Sequence, residues 1–394
     1  MEQTAPVHYP FNHTDGLDLA APYRTARETP GLTRVRMNHG EDAWLVTRYD
    51  DARLVLGDRR FSRAAAVGRD EPRQSEGRRS SGILAMDPPE HTRLRTLVAK
   101  AFTVRQVERL RPQVRALAEE LLDAMEAAGQ PADLVEDYAL PIPVFVICQM
   151  LGVPAADRPR FRVWSDSMLS TRAMSEEEFA AVRGELRAYM AGLVAGHRRA
   201  PRDDLMTALV EARDHGDRLS EEELIDLCIA VLVAGHETTA TQLPNFVHTL
   251  LRHPDQLAGL RADPAAVPGA VEELLRFVPL GAGAGAARYA TEDVEVGGTL
   301  VRAGEPVLVS VGAANQDPGR FADAGRLDVG RADPHHLGFG HGVHHCLGAP
   351  LARLELQEGL GALITRFPGL RLAGEVLWKE ELLVRGPRAM PIGW

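Results

Sequence analysis

A single cysteine, Cys346, ends the run Phe339-Gly340-His341-Gly342-Val343-His344-His345, and Leu347 and Gly348 follow it. An alanine- and leucine-rich stretch, Ala349 to Phe367, comes next and reads as a helix. Glycines at 340, 342 and 348 let the backbone turn tightly and come close to something flat or bulky. The free N–H groups and dipole at a helix entrance favour an anion, so this is a place to hold a thiolate, and a thiolate can bind a metal. Two metal chemistries compete here. Zinc would use Cys346 with His335, His336, His341, His344 and His345, but structural zinc shows paired Cys or Cys/His groups at regular spacings, and this cysteine has no partner. A haem iron needs one axial thiolate only. A buried cysteine in a glycine-rich turn is the bland third reading, and the commonest for a lone cysteine.

A second constellation is Ala234-Gly235-His236-Glu237-Thr238-Thr239. It lies inside a long helix that opens on a capping box, Ser220 with Glu223, and runs to about His253. At the standard rise that is about 50 Å. Its middle, Ile229 to Ala234, is apolar all round, as in a helix buried on every side. An acid and two hydroxyls there cost stability unless paired or useful. Gly235 costs about 1 kcal/mol more against alanine. In a purely structural role Thr238 bonds back to a carbonyl and widens the helix. In a functional one, the groove so opened holds a small molecule and a water, with Glu237 and Thr238 relaying protons. A zinc-protease reading of His236-Glu237 fails, because Ala240 stands where the second histidine belongs.

Three weaker patterns accompany these. His91 and Arg95, on a helix begun by Asp87-Pro88-Pro89, share a face and suit an anionic partner. Glu273 and Arg276 are an acid and a base three apart on one helix face. Residues 279–288 are rich in glycine, but they follow a helix and precede a strand, the reverse of a dinucleotide loop.

The ungapped Phe-Gly-x-Gly-x-His-x-Cys-x-Gly run resembles the haem-binding loop of the cytochrome P-450 family. Ala-Gly-His-Glu-Thr-Thr is similar to that family's oxygen-activating helix, and Glu273-Leu274-Leu275-Arg276 to its Glu-x-x-Arg helix. The resemblance extends from about Thr33 to Trp394. It implies a mainly α fold with small β-sheets and one long helix crossing over haem b. It makes Cys346 the axial ligand, Phe339 and Gly348 neighbours of the thiolate, and His91, Arg95, Arg288 and His344 contacts of the haem propionates. Glu237 and Thr238 become the proton relay. Glu273 and Arg276 would pair with Arg326 as a structural lock. Ile83, Ala234, Gly235, Leu280, Gly283, Ala284 and Val384 would line the substrate pocket.

The implied reaction inserts one oxygen atom from O2 into a C–H or C=C bond. Oxidative coupling and C–C cleavage are alternatives on the same scaffold, and a haem-binding sensor is the non-enzymatic rival. The sequence holds no flavin or iron–sulfur module, so electrons from NAD(P)H are expected through a ferredoxin and its reductase, docking on Arg93, Arg105, Arg109 and Arg353. Small residues from Gly283 to Ala286 predict a roomy pocket and a bulky apolar substrate, free or tethered to a carrier protein. Polyketide or macrolide tailoring in an actinobacterium follows by analogy with the family.

The elements that must position these groups fit one domain. The 394 residues are 45% hydrophobic and 25% charged, an ordinary globular balance, and the net charge of −10 argues against nucleic acid. Cys148, Cys228 and Cys346 are odd in number and far apart, as in a reducing cytoplasm. No signal or anchor pattern is present. Residues 1–31 read as a loose lead-in. Thr33 to Met37 and Ala43 to Tyr49 read as strands. Residues 62–86 read as a long loop, and the resemblance implies that it covers the substrate. Helices are expected over 104–130, 133–152, 155–200 (two segments meeting around Ser170 to Ser175, which the resemblance makes a lid) and 203–216. Short strands follow Arg288, and Glu381 to Val384 resembles the family's hairpin whose tip enters the pocket.

Overall fold

The computed structural model describes residues 5–12, 16–76, 80–157, 160, 164, 167–169, 175–214, 219–281, 283–332 and 335–394. Of the expected meeting point around Ser170 to Ser175 only Ser175 is among them, and the end of the helix expected over 203–216 lies outside them past Asp214.

The largest sheet has six strands. In chain order these are β1 (Val7–His8), β2 (Thr33–Arg36), β3 (Ala43–Val46), β4 (Phe61–Ser62), β6 (Arg288–Ala290) and β9 (Pro306–Val309); β5 is Ala132–Asp133, β7 Val294–Val296 and β8 Thr299–Val301. Their spatial order is β1-β2-β3-β9-β6-β4. β3 runs parallel to β9, with Trp44 opposite Val307, so the first strands of the chain join strands some 260 residues later. The described residues of the lead-in, 5–12 and 16–31, are not loose. Val7 and His8 pair with Val35 and Arg36, and α1 (Ala21–Glu28) follows. Tyr9 is fully buried, edge-on to Phe11 and Tyr23 at 5.2 and 6.1 Å. Three aromatic rings in one short stretch supply the apolar area that holds it down.

Helices make up most of the rest: α2 (Tyr49–Gly57), α3 (Glu90–Ala99), α4 (Val104–Glu108), α5 (Arg111–Ala128), α6 (Pro141–Met150), α7 (Glu176–Arg199), α8 (Leu205–Asp214), α9 (Glu221–Leu251), α10 (Pro254–Ala262), α11 (Val267–Phe277), α12 (Val311–Asn315) and α13 (Ala349–Arg366). The helix expected over 104–130 is two, α4 and α5. The stretch 133–152 is a π turn, Leu134–Ala139, leading into α6 with Pro141 in its first turn. Proline fits there because the first N–H groups of a helix have no partner within it.

α9 is the axis of the molecule. Ser220 Oγ accepts from the Glu223 N–H at 3.1 Å, and Glu223 accepts from the Ser220 N–H at 2.7 Å, so both halves of its capping box are made. It is long and apolar enough to cross a bilayer by length alone, but it packs against α6, α7 and α13 as a core helix. A Cβ on Gly235 would lie 2.6 Å from Ile147 Cδ1, so the glycine lets α6 cross α9 closely.

Candidate active site

The cysteine loop is closed by two backbone bonds, Gly340 N–H to the Leu337 carbonyl at 2.7 Å and Cys346 N–H to the Phe339 carbonyl at 2.8 Å. Gly342 has φ of +72°, and a Cβ there would lie 2.5 Å from the Leu56 carbonyl at the end of α2. Only glycine serves at that position. Cys346 presents its surface to a cavity just before α13. Burial raises its thiol pKa, while the N–H groups of Gly348 and Ala349 and the charges of Arg95 and Arg353 pull it down. Phe339 lies beside it under the Arg353 guanidinium, 4.6 Å from the ring centre.

The cavity has a volume of about 340 Å³. Cys346 and Gly348 stand on one wall; Ala234, Gly235, Thr238 and Thr239 of α9 stand on another. Leu280 and Gly283 also line it, whereas Ile83, Ala284 and Val384 do not. Ile83 packs on the main core, and Ala284 packs on the Tyr9–Tyr23 cluster. Val384 forms a β-bridge to Gly281 and so supports the wall from behind. The room expected from Gly283 to Ala286 is partly taken: a Cβ on Gly283 would lie 2.8 Å from Pro10 Cβ and 3.3 Å from the Tyr9 ring. The N-terminal segment fills what the small side chains leave, and its Asn12 and Leu19 reach the cavity.

A cationic edge adjoins the cysteine loop. The rings of His91 (on α3) and His344 stand 4.3 Å apart. His91 Nδ1 and His344 Nε2 are buried with no hydrogen-bond partner. Burial, then His91, Arg288 and Arg63, push the His344 pKa down to about 4. Burial and the neighbouring Arg63 push Arg288 down to about 10. Arg95 donates to the His345 carbonyl at 2.7 Å, which braces the loop. Arg63 joins this group unannounced by the sequence. It is buried, donating to the carbonyls of Leu84 and Ala287, and nothing in the residues distinguishes it from the other arginines of the 62–86 stretch.

On α9, Thr238 Oγ1 donates to the Ala234 carbonyl at 3.0 Å, the back-bond expected of it. Glu237 is buried but does not line the cavity. Its Oε1 accepts from Lys379 Nζ and, at 3.1 Å, from Thr241 Oγ1. Glu355, on α13, is a second acid that sequence reasoning passed over. It lines the cavity, its carboxyl oxygens are buried, and burial pushes its pKa up to about 8 against the lowering effect of the Thr239 hydroxyl.

The structural lock differs from expectation in one member. Arg276 is fully buried and donates to Glu273 at 2.7 and 2.8 Å. Arg326 offers only its backbone carbonyl, to Arg276 Nη2 at 3.2 Å. The side chain that reaches Glu273 is Arg331, whose Nε lies 3.0 Å from Oε2. The chain passes Arg276 as backbone at residues 324–326 and turns its guanidinium inward only five residues later.

The family profile described as Cytochrome P450 matches residues 161–372. The chain is 53% identical, over the full length of both proteins, to the mycinamicin IV hydroxylase/epoxidase of Micromonospora griseorubida. It is 51% identical, again over both full lengths, to the nocardicin C N-oxygenase of Nocardia uniformis subsp. tsuyamanensis. Among solved structures, that of HinD with NMFT and NO superposes with a TM-score of 0.96 at 49% identity, covering 99% of this chain and 100% of that one. The mixed-function P450 MycG superposes at 0.91 with 53% identity and the same coverage. A cysteine loop facing an acid–alcohol helix, full-length identity of this order and the shared fold agree: the chain belongs to the cytochrome P450 family, in its actinobacterial branch, and is a monooxygenase.

Proposed function

We propose that this enzyme inserts one oxygen atom from O2 into a bulky, largely apolar secondary metabolite of the macrolide class, by hydroxylation or epoxidation. The observation that carries the reaction is the cavity with Cys346 on one wall and Ala234, Gly235 and Thr238 on another. The macrolide class rests on the relative named for mycinamicin IV. The small residues from Gly283 to Ala286 support it only in part, because Tyr9 and Pro10 take the space at Gly283 while that at Gly285 stays open.

The residues present fit the haem that the family implies. Two buried ring nitrogens without partners, on His91 and His344, stand with Arg95, Arg288 and Arg63 beside the cysteine loop, suited to a pair of carboxylates. A bound haem supplies the iron that activates dioxygen, and a thiolate ligand donates electron density to it. Cys346 provides that ligand, while Phe339 and Gly348 shield its sulfur from water. His91, Arg95, Arg288 and His344 hold the propionates. Thr238 Oγ1 faces the reacting side and donates a proton there; Glu237 replenishes it. Ala234, Gly235, Leu280 and Gly283 orient the substrate.

Electrons come from NAD(P)H through a ferredoxin and its reductase, in the cytoplasm. Of the expected docking cations, Arg93 is paired with Glu223 at 2.5 Å and Arg353 with Glu272 at 2.7 Å. Arg105, on α4, and Arg109, just past its C-terminal end, make no ion pair among the described residues and form the docking point. The substrate arrives free or on a carrier protein. A spectral titration of the ferric enzyme with mycinamicin IV and with nocardicin C tests the class. A Soret shift with the macrolide alone supports the proposal, and a shift with nocardicin C alone contradicts it.

A further inference from the structure

Glu237 faces the wrong way for its assigned work. Its neighbours Ala234, Gly235, Thr238 and Thr239 line the cavity, and it does not. Lys379 Nζ holds its Oε1 in an ion pair in which the two side chains are 8% and 3% exposed. The same ammonium donates to Thr241 Oγ1 at 2.7 Å. Breaking a buried pair leaves an uncompensated charge, so the carboxylate stays where the ammonium is.

Lys379 opens a loop, residues 379–386, closed by its own N–H bonding to the Gly386 carbonyl at 2.9 Å. That loop touches three other parts of the molecule. Val384 bridges to Gly281 and the Arg385 N–H bonds to the Leu280 carbonyl at 2.8 Å, so the loop backs the cavity wall. The Leu383 N–H bonds to the Leu169 carbonyl at 3.1 Å, within the segment expected to cover the pocket. Asn245 on α9 donates to the Arg385 carbonyl at 2.8 Å. The loop lies so close to α9 that a Cβ on Gly386 would sit 2.5 Å from Thr241 Cγ2 and 2.7 Å from Asn245 Oδ1.

We propose that Lys379 is a positioning residue that keeps the Glu237 carboxylate turned out of the cavity, and that displacement of loop 379–386, by an occupant pressing on Leu280 and Gly281, lets it go. Released, the carboxylate takes a proton from solvent at one oxygen and passes it to Thr238 Oγ1 as that hydroxyl gives up its own. The proton supply is thereby tied to an occupied cavity. An empty cavity keeps the acid latched, which protects the reduced enzyme from losing one electron, with one proton, to dioxygen as hydroperoxyl. This rests on the monooxygenase reading and adds to it a residue some 140 positions from the acid.

The test uses substrate-free holoenzyme. The reduced protein is mixed with oxygen and the return of the Soret band to its ferric position is timed in light and heavy water. Hydrogen exchange at the Leu383 and Arg385 amides is followed in the ferric state. In Lys379→Met the Soret return should be several-fold faster, with an altered solvent isotope effect, while Lys379→Arg stays near wild type. Adding Glu237→Gln to Lys379→Met should restore the slow return. Gly386→Ala, which leaves the lysine in place but pushes the loop off α9, should also speed the return and raise exchange at both amides. It serves as well should Lys379→Met not fold. A wild-type rate in both Lys379→Met and Gly386→Ala, or an acceleration that persists with Glu237→Gln, overturns the latch. Absence of any haem Soret band would instead remove the reading on which the latch rests, and the latch with it.

Discussion

Arg331 Nε stands 3.0 Å from Glu273 Oε2, and this contact completes the charged lock under the cysteine segment. Glu273 and Arg276 have no exposed surface, and the Arg331 side chain is 13% exposed. Loss of a hydrogen bond between charged groups in such a place costs about 2 kcal/mol. Arg331→Ala should therefore lower the melting temperature and weaken haem retention. Arg326→Ala should change stability by less than about 0.5 kcal/mol, because only its backbone is used. Thermal unfolding followed by circular dichroism, with the haem Soret band read in parallel, checks both.

Glu355 should make stability fall with pH. Its folded pKa, about 8, lies above the ordinary value of 4.5. The folded state binds the proton more tightly, so the stabilisation is fully present below about pH 4.5 and is lost as pH rises through 8. Above that the protein carries a penalty on the order of a few kcal/mol. Glu355→Gln should flatten the pH dependence of the melting temperature between those limits and exceed the wild type in stability at pH 9. A variant whose stability runs parallel to the wild type's would show that the acid does not change its protonation between those limits.

The N-terminal segment should prove part of the pocket. Gly283→Ala would drive a Cβ to 2.8 Å from Pro10 Cβ. Overpacking of this kind costs about 1–3 kcal/mol. Faster proteolysis near Tyr9 in the variant, with a changed affinity for bulky ligands, is the expected result.

Much of this site is legible in the sequence because its parts are local. The cysteine loop spans ten residues and the acid–alcohol step two, and their spacing survives any error in the fold around them. The capping box at Ser220 is likewise a matter of four residues. What escaped was pairing at a distance. Arg326 and Arg331 both follow Glu273 in the same irregular stretch, and no periodicity says which one turns inward. Lys379 meets Glu237 across some 140 residues. Tyr9 lies in a stretch whose polar and proline-containing composition hid a cluster of three rings. The glycines near 283 were visible as missing volume, but the sequence does not say whether a ligand or the chain's own terminus fills it.

Docking should depend on the short helix α4. Arg105→Glu with Arg109→Glu should slow electron transfer from an acidic ferredoxin about tenfold at low salt, with a much smaller effect at high salt, since such contacts act mainly on the association rate. Arg93→Ala, by contrast, removes a residue already paired with Glu223 and should affect transfer less. Stopped-flow reduction of the enzyme over a range of ionic strength separates the two.

One atom of dioxygen is expected to enter a macrolide-class substrate in this cavity. The most direct measurement is turnover of mycinamicin IV under isotopically heavy dioxygen, with a ferredoxin, its reductase and NADPH, read by mass spectrometry. The predicted product carries a single labelled oxygen, and Cys346→Ala abolishes it. Product whose new oxygen comes from water, or labelled product still formed by the Cys346→Ala protein, would contradict the account.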